Sequence, residues 1–167
     1  MKSALTSERL RELLRYDPAT GVWTWLAFSG GNCPRPGEPA GTVLPGGYRR
    51  IRIDGTGYLS GPLVFLYMTG EWPVGVARRR DGDRGNDRWE NFRPATRSQS
   101  TASAKRMKHN KSGFKGVSWD KLHGRWRADV TRHGRHRFLG HFDAPEVAHE
   151  AYRVAARELF GEFARTA

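Results

Sequence analysis

Between Gly113 and Gly161 the chain runs through three turn-punctuated strand segments into one long amphipathic stretch, and few folds accept that order. Gly113–Asp120 (GFKGVSWD) and Arg125–Arg132 (RWRADVTR) read as strands joined by a turn at Leu122-His123-Gly124. The second alternates, with Trp126, Ala128 and Val130 on one side and Arg125, Arg127, Asp129 and Thr131 on the other. His133-Gly134 makes a second tight turn into a third strand, Arg135–Phe142 (RHRFLGHF). Asp143-Ala-Pro-Glu146 then opens a helix, with Asp143 expected to cap it and Pro145 in the first turn. Val147, Ala148, Ala151, Tyr152, Ala155 and Leu159 form its stripe, and Gly161 ends it. The pattern predicts a three-stranded antiparallel sheet packed on one helix through its Trp126/Ala128/Val130 face. The opposite face is left bare and basic.

The N-terminal part is less regular. Thr6–Leu14 reads as a short helix and Val22–Leu26 as a strand. Thr42–Val43 and Tyr48–Ile53 read as strands around the Pro45-Gly46-Gly47 turn, and Leu59–Thr69 as a helix after Pro62. A polar stretch, Arg78–Asp87, precedes a short segment at Arg88–Arg93. The class is α+β. The expected division is a module over 1–96, a basic linker over 97–111 and a second module over 112–167.

Charge narrows the function. The net charge is +12. Residues 1–100 hold 15 Lys/Arg against 10 Asp/Glu, and residues 101–167 hold 14 against 7, so the shorter part is the more basic. That balance favours a polyanionic partner, nucleic acid before lipid. One cysteine, Cys33 in a Gly/Pro-rich loop, excludes an internal disulfide and a cysteine-based zinc cluster. The longest apolar run, Leu63–Met68, is far too short to span a membrane, and the first residues show no apolar signal region. A cytoplasmic setting, in a bacterial or phage-infected cell, is expected, with no membrane partner.

The strings FKGVSWD, GRWRADV, RFLGHFDAPEVAHEAYRVAA and LFGEFA resemble the APETALA2/ethylene-response-factor DNA-binding domain over roughly residues 112–165. In that family the bare sheet face lies in the DNA major groove. Carried over by position, the resemblance implies Lys115, Ser118, Asp120, Arg125, Arg127, Thr131, His136 and Phe138 as groove-facing, with Trp126 and Leu139 in the core. Ser118, Asp120 and Thr131 stand where plant members often carry Arg, so the plant target sequence does not transfer. The chemistry agrees with the general role, since arginine reads guanine edges and a narrow β-ribbon fits the major groove.

The N-terminal strings LRELLRYDPATGVWTW, GYRRIRIDG, LYMTGEWP and DGDRGNDRWENFRPATRSQ resemble the phage- and intron-type HNH homing endonucleases over roughly residues 5–100. The resemblance implies a ββα-metal core whose Asp-His supplies a metal ligand and a general base. This chain departs from it at the chemistry. Arg78 and Arg79 stand at the Asp-His positions, and Gly61 stands where a further His is expected. Asp81, Gly82, Asp83, Trp89, Glu90, Asn91 and Arg93 keep the family character. All six histidines, at 109, 123, 133, 136, 141 and 149, lie beyond residue 108. An arginine stays protonated and cannot act as the base near pH 7.

The sequence therefore points to a double-stranded-DNA-binding protein on a degenerate HNH-like scaffold, with no catalytic residue and no cofactor expected. Arg78, Arg79, Arg80, Arg84 and Arg88 would form a phosphate-binding patch, or else a solvated charged loop. One alternative is an active endonuclease, nicking or cleaving with Mg²⁺ or Mn²⁺ held at Asp81, Asp83 and Asn91, where Asp87 and Glu90 also lie close. A third is a non-enzymatic phage-type protein that targets RNA or a nucleoprotein complex. His133 and His136 flank a turn, but two histidines alone do not make a zinc site.

Overall fold

The computed structural model describes residues 5–27, 35–107 and 109–166. Cys33 lies outside the described residues. The chain divides into two compact units, Met1–Ala95 and Thr96–Ala167, and mixes helices and sheets in both.

In the first unit, α1 (Ser7–Leu13) begins on Thr6, whose side chain accepts the Arg9 N–H at 3.2 Å. The backbone turns extended at Leu14 and enters β1 (Leu14–Tyr16), which pairs antiparallel with β2 (Trp23–Trp25). Asp17 fixes the connection by accepting from the Ala19 N–H at 2.9 Å and the Thr20 hydroxyl at 2.7 Å. A three-stranded meander follows: β3 (Thr42–Val43), β4 (Arg49–Ile53) and β5 (Thr56–Leu59). Strand β5 adds to the two strands expected here, and Asp54-Gly55 is the two-residue hairpin turn that forms it. Both residues adopt positive φ, at 47° and 78°. Helix α2 (Ser60–Thr69) starts two residues before Pro62 and stops at Gly70 in the left-handed conformation. Strand β6 (Val76–Arg79) pairs with β7 (Phe92–Ala95), so the stretch read as merely polar begins inside a hairpin. Leu10, Leu13, Leu14, Trp23, Ile51, Ile53, Leu63, Val64 and Phe92 close the core.

The second unit opens with α3 (Arg97–Ala102), held by a reciprocal capping box between Thr96 and Gln99. The stretch 97–111, expected to be a linker, therefore belongs to this unit. Ala102 is buried, its carbonyl accepts from Lys115 Nζ and from the Arg165 N–H, and Ala104 also accepts from Lys115 at 2.8 Å. Local polarity hid this, because a six-residue helix with one buried alanine leaves no apolar period. Thr96→Ala should remove about 1 kcal/mol of local stability. The check is amide hydrogen exchange, where protection of α3 should fall about five-fold while the rest of the unit is unchanged.

Strands β8 (Val117–Asp120), β9 (Arg125–Arg132) and β10 (Arg135–Phe142) form the antiparallel sheet in the order β10-β9-β8, and α4 (Pro145–Phe160) packs on it. The first strand is shorter than its sequence suggests. Gly116 sits at φ +76°, where a Cβ would lie 2.1 Å from the Tyr152 ring, so the chain turns onto the sheet only after this close approach. Asp143 does not cap α4. Ala144 occupies that position, and Asp143 pairs with Arg125 at 2.9 Å. The buried stripe of α4 is Ala148, Tyr152, Ala155, Ala156 and Phe160, whereas Val147 is exposed. Gly161 ends the helix as expected.

Candidate functional site

The sheet of the second unit has one covered and one open face. Val117, Ala128 and Val130 are buried under the helix, with Trp126, Leu139 and Phe142 packed beside them. Strand alternation sends Ser118, Arg125, Arg127, Thr131, His136 and Phe138 to the other side, and all six are exposed. Their register is tight: Ser118 lies opposite Arg127, and Thr131 opposite His136. A bulge at Leu139, between the pairs Phe138↔Asp129 and Gly140↔Ala128, returns His141 to this same face.

Side chains on the open face hold one another. Arg127 makes a bidentate pair with Asp129, Nε at 2.7 Å and Nη2 at 2.8 Å. That pair holds the guanidinium pKa above its ordinary value. Its plane also lies over the Phe138 ring at 5.3 Å. Thr131 Oγ1 and His136 Nδ1 are 2.9 Å apart, and Arg125 reaches Asp143. Arg127 is thus oriented by a carboxylate on one edge and an aromatic plane beneath, with Nη1 left outside the Asp129 fork. Lys115 is not among these groups, because its ammonium is committed to the carbonyls that end α3.

In the first unit, Arg79 is part of a buried ion pair. Arg79, only 6% exposed at its side chain, pairs with Asp87, which is 2% exposed. The same guanidinium donates to Ser60 Oγ at 3.2 Å and to the Asn86 carbonyl at 3.1 Å. It also lies against the Phe92 and Tyr48 rings, at 4.7 and 5.6 Å. Arg49 approaches the other Asp87 oxygen at 3.7 Å, and the Tyr16 hydroxyl donates to the Asp87 carbonyl at 2.6 Å. Burial, and then the Asp87 charge, push the Tyr16 pKa well above its ordinary value. Gly61 starts α2 against this hairpin, where a Cβ would stand 3.2 Å from both Ala77 Cβ and the Phe92 ring.

Arg79 is therefore an interior residue, which corrects its reading as a phosphate contact: a buried charge needs its partner more than a surface site needs one more arginine. Arg78 is half-buried, whereas Arg80, Arg84 and Arg88 are exposed. Arg84 is steered by the Tyr48 ring at 4.8 Å and the Gly46 carbonyl at 3.0 Å.

The acidic loop is likewise internally satisfied. Asp81 Oδ1 accepts from the Asp83 N–H at 2.8 Å and from Asn91 Nδ2 at 3.0 Å, and Oδ2 accepts from Asn86 Nδ2 at 2.7 Å. Partial burial raises its pKa, but the donors from Asn91, Asp83 and Asn86 outweigh that and hold it below the ordinary carboxylate range. Asp83 Oδ1 accepts the Gly85 N–H at 2.9 Å. Asn91 closes the loop by accepting the Asp81 N–H at 3.1 Å. These groups fold a turn.

A further constellation escaped the sequence reading. On the open face, Asp120 Oδ2 lies 2.9 Å from His123 Nδ1 and 2.9 Å from His141 Nε2. The only signal was Asp-x-x-His across the first turn, and the bulge that turns His141 toward it is not visible in the residue pattern.

Compared with known proteins, the chain is 40% identical over 85 residues to Protein 3.8 of Escherichia phage T7, covering 51% of this chain and 69% of that protein. It belongs to the family of that phage protein. No protein-family model matches it. No solved structure matches it.

Proposed function

We propose that the chain is a phage-type double-stranded-DNA-binding protein, related to the HNH homing endonucleases and without nuclease activity. The observation that carries the reading is the open sheet face. It gathers Ser118, Arg125, Arg127, Thr131, His136 and Phe138 on one exposed surface opposite α4. This is the arrangement that the APETALA2/ethylene-response-factor resemblance implies for groove binding. Arg127, held by Asp129 and Phe138, is preorganised to offer its remaining N–H groups to a base edge or a phosphate. The exposed Arg80, Arg84 and Arg88 add phosphate contacts.

The absence of cutting rests on the first unit. A hydrolytic site needs a general base and room for a divalent ion. Here Arg79 fills the position of the base with a permanent charge, and the Asp87 carboxylate is neutralised by it. The acidic loop uses its oxygens on its own backbone and amides.

Purified protein incubated with supercoiled plasmid and Mg²⁺ or Mn²⁺, with EDTA as control, should shift the DNA and leave it uncut. If six to ten phosphates are neutralised, affinity should drop about 10³–10⁵-fold between 50 and 200 mM salt. Cutting that EDTA abolishes and that Asp83→Ala removes would overturn the reading in favour of an active endonuclease. A stronger shift with RNA than with duplex DNA would overturn the choice of partner.

A further inference from the structure

We propose that Asp120, His123 and His141 form a binding site for a divalent transition-metal ion of the Zn²⁺ class. The three come from three places in the fold: the end of β8, the β8–β9 turn and β10 beyond its bulge. One ligand atom from each, a carboxylate oxygen and two ring nitrogens, lies within 4.8 Å of the other two. In a tetrahedral site with ligand distances of about 2.0–2.1 Å, ligand atoms stand roughly 3.3 Å apart. The carboxylate oxygen stands 2.9 Å from each ring nitrogen, so those two pairs need to open by only a few tenths of an ångström, while the two ring nitrogens lie within 4.8 Å of each other and settle to the ion by rotation of the imidazoles. Three protein ligands leave a fourth position for water.

The site is built rather than accidental in two respects. Asp120 divides its oxygens: Oδ1 accepts the backbone N–H of Leu122 at 2.9 Å and of His123 at 3.4 Å, while Oδ2 alone faces the imidazoles. The turn thus orients the carboxylate from behind, as outer hydrogen bonds orient metal ligands. His141 is positioned by its edge contact with Phe138 at 5.0 Å, and the two imidazoles lie 4.4 Å apart. Among the described residues this is the cluster of three such groups that can meet at one point.

A carboxylate only accepts, so both ring nitrogens that face Oδ2 carry hydrogens. To bind the ion, an imidazole carries its hydrogen on the far nitrogen and offers the lone pair of the nitrogen that faces Oδ2 to the metal. One carboxylate and two neutral imidazoles suit Zn²⁺, Ni²⁺ or Co²⁺ better than the hard Mg²⁺, which prefers oxygen. An ion there ties β8 to β10 across β9, so its effect falls on the reading face and not on the first unit.

The test uses the full chain free of any polyhistidine tag, titrated with Co²⁺ and followed by visible absorption, then with Zn²⁺ by calorimetry. Saturable 1:1 binding with a tetrahedral Co²⁺ band is expected. His123→Gln and His141→Gln should each weaken it at least about ten-fold, while His136→Gln leaves it unchanged. His123 is half exposed in a turn, so its variant keeps the fold, which circular dichroism checks. Absence of 1:1 binding would overturn the proposal, and so would binding that His123→Gln and His141→Gln leave intact. The three residues would then be a hydrogen-bonded brace only. Neither result bears on whether the plasmid shifts.

Discussion

Arg79→Ala should destabilise the first unit by about 3–5 kcal/mol, a substantial share of what holds a domain this size folded. The reason is the orphan it leaves. Asp87 is 2% exposed and is left in a protein interior without its guanidinium partner. Arg49, at 3.7 Å and partly in solvent, is too far to replace a hydrogen-bonded partner. Ser60 Oγ also loses this donor, and the Asn86 carbonyl keeps only its bond from Asn91. Denaturant unfolding of Arg79→Ala, of Asp87→Ala and of the double variant gives the measurement. The double variant should lose less than the sum of the singles, because each single leaves a charge behind that the double does not. A single-variant loss below about 1 kcal/mol, or strict additivity, would mean that the pair is peripheral.

That interior also limits what a histidine placed at position 61 or 79 could do. A side chain at Gly61 meets Ala77 and Phe92 at once, and one at position 79 inherits a pocket shaped for a guanidinium between two rings. The two substitutions are coupled through the Phe92 ring.

Legibility in the sequence followed period and turn chemistry. The sheet and helix of the second unit were readable because β9 alternates over eight residues and each turn carries a glycine. The open face followed directly, since period-two alternation decides which side each of Arg125, Arg127 and Thr131 takes. Short elements were lost. β5 and β6 span four residues each, too few for either to show a period. Burial of Arg79 was unreadable because three successive arginines look alike in sequence. Strand alternation, with the arrival of Asp87 from the loop, singles out one of them. Lys115 differs for a similar reason: the resemblance implies a groove-facing position, but its ammonium goes to the carbonyls that end α3. The Asp120–His123–His141 cluster needed the one-residue bulge at Leu139, which reverses the facing of everything after it.

The second large effect is expected on DNA. Arg125→Ala with Arg127→Ala should weaken duplex binding by about 2–6 kcal/mol, roughly 30-fold or more, if each reads a base edge at about 1–3 kcal/mol. The fold should survive, because both side chains are exposed and their ion pairs, to Asp143 and Asp129, are surface pairs worth little to stability. Arg80→Ala with Arg84→Ala is the matched control of equal charge change. Those residues lie outside the sheet, so they should act through phosphates alone, weakening all sequences alike and lowering the salt slope by about two. Asp129→Ala sharpens the comparison. It frees Arg127 from its fork and raises the net positive charge, so a purely electrostatic surface would bind more tightly without it. A preorganised reader loses discrimination between sequences instead, since the guanidinium is no longer held in one plane. Mobility shifts on a specific and a scrambled duplex at two salt concentrations separate the outcomes. Equal losses from the sheet pair and the loop pair would sink the idea that the sheet is the reading head, and would leave a diffuse basic surface in its place.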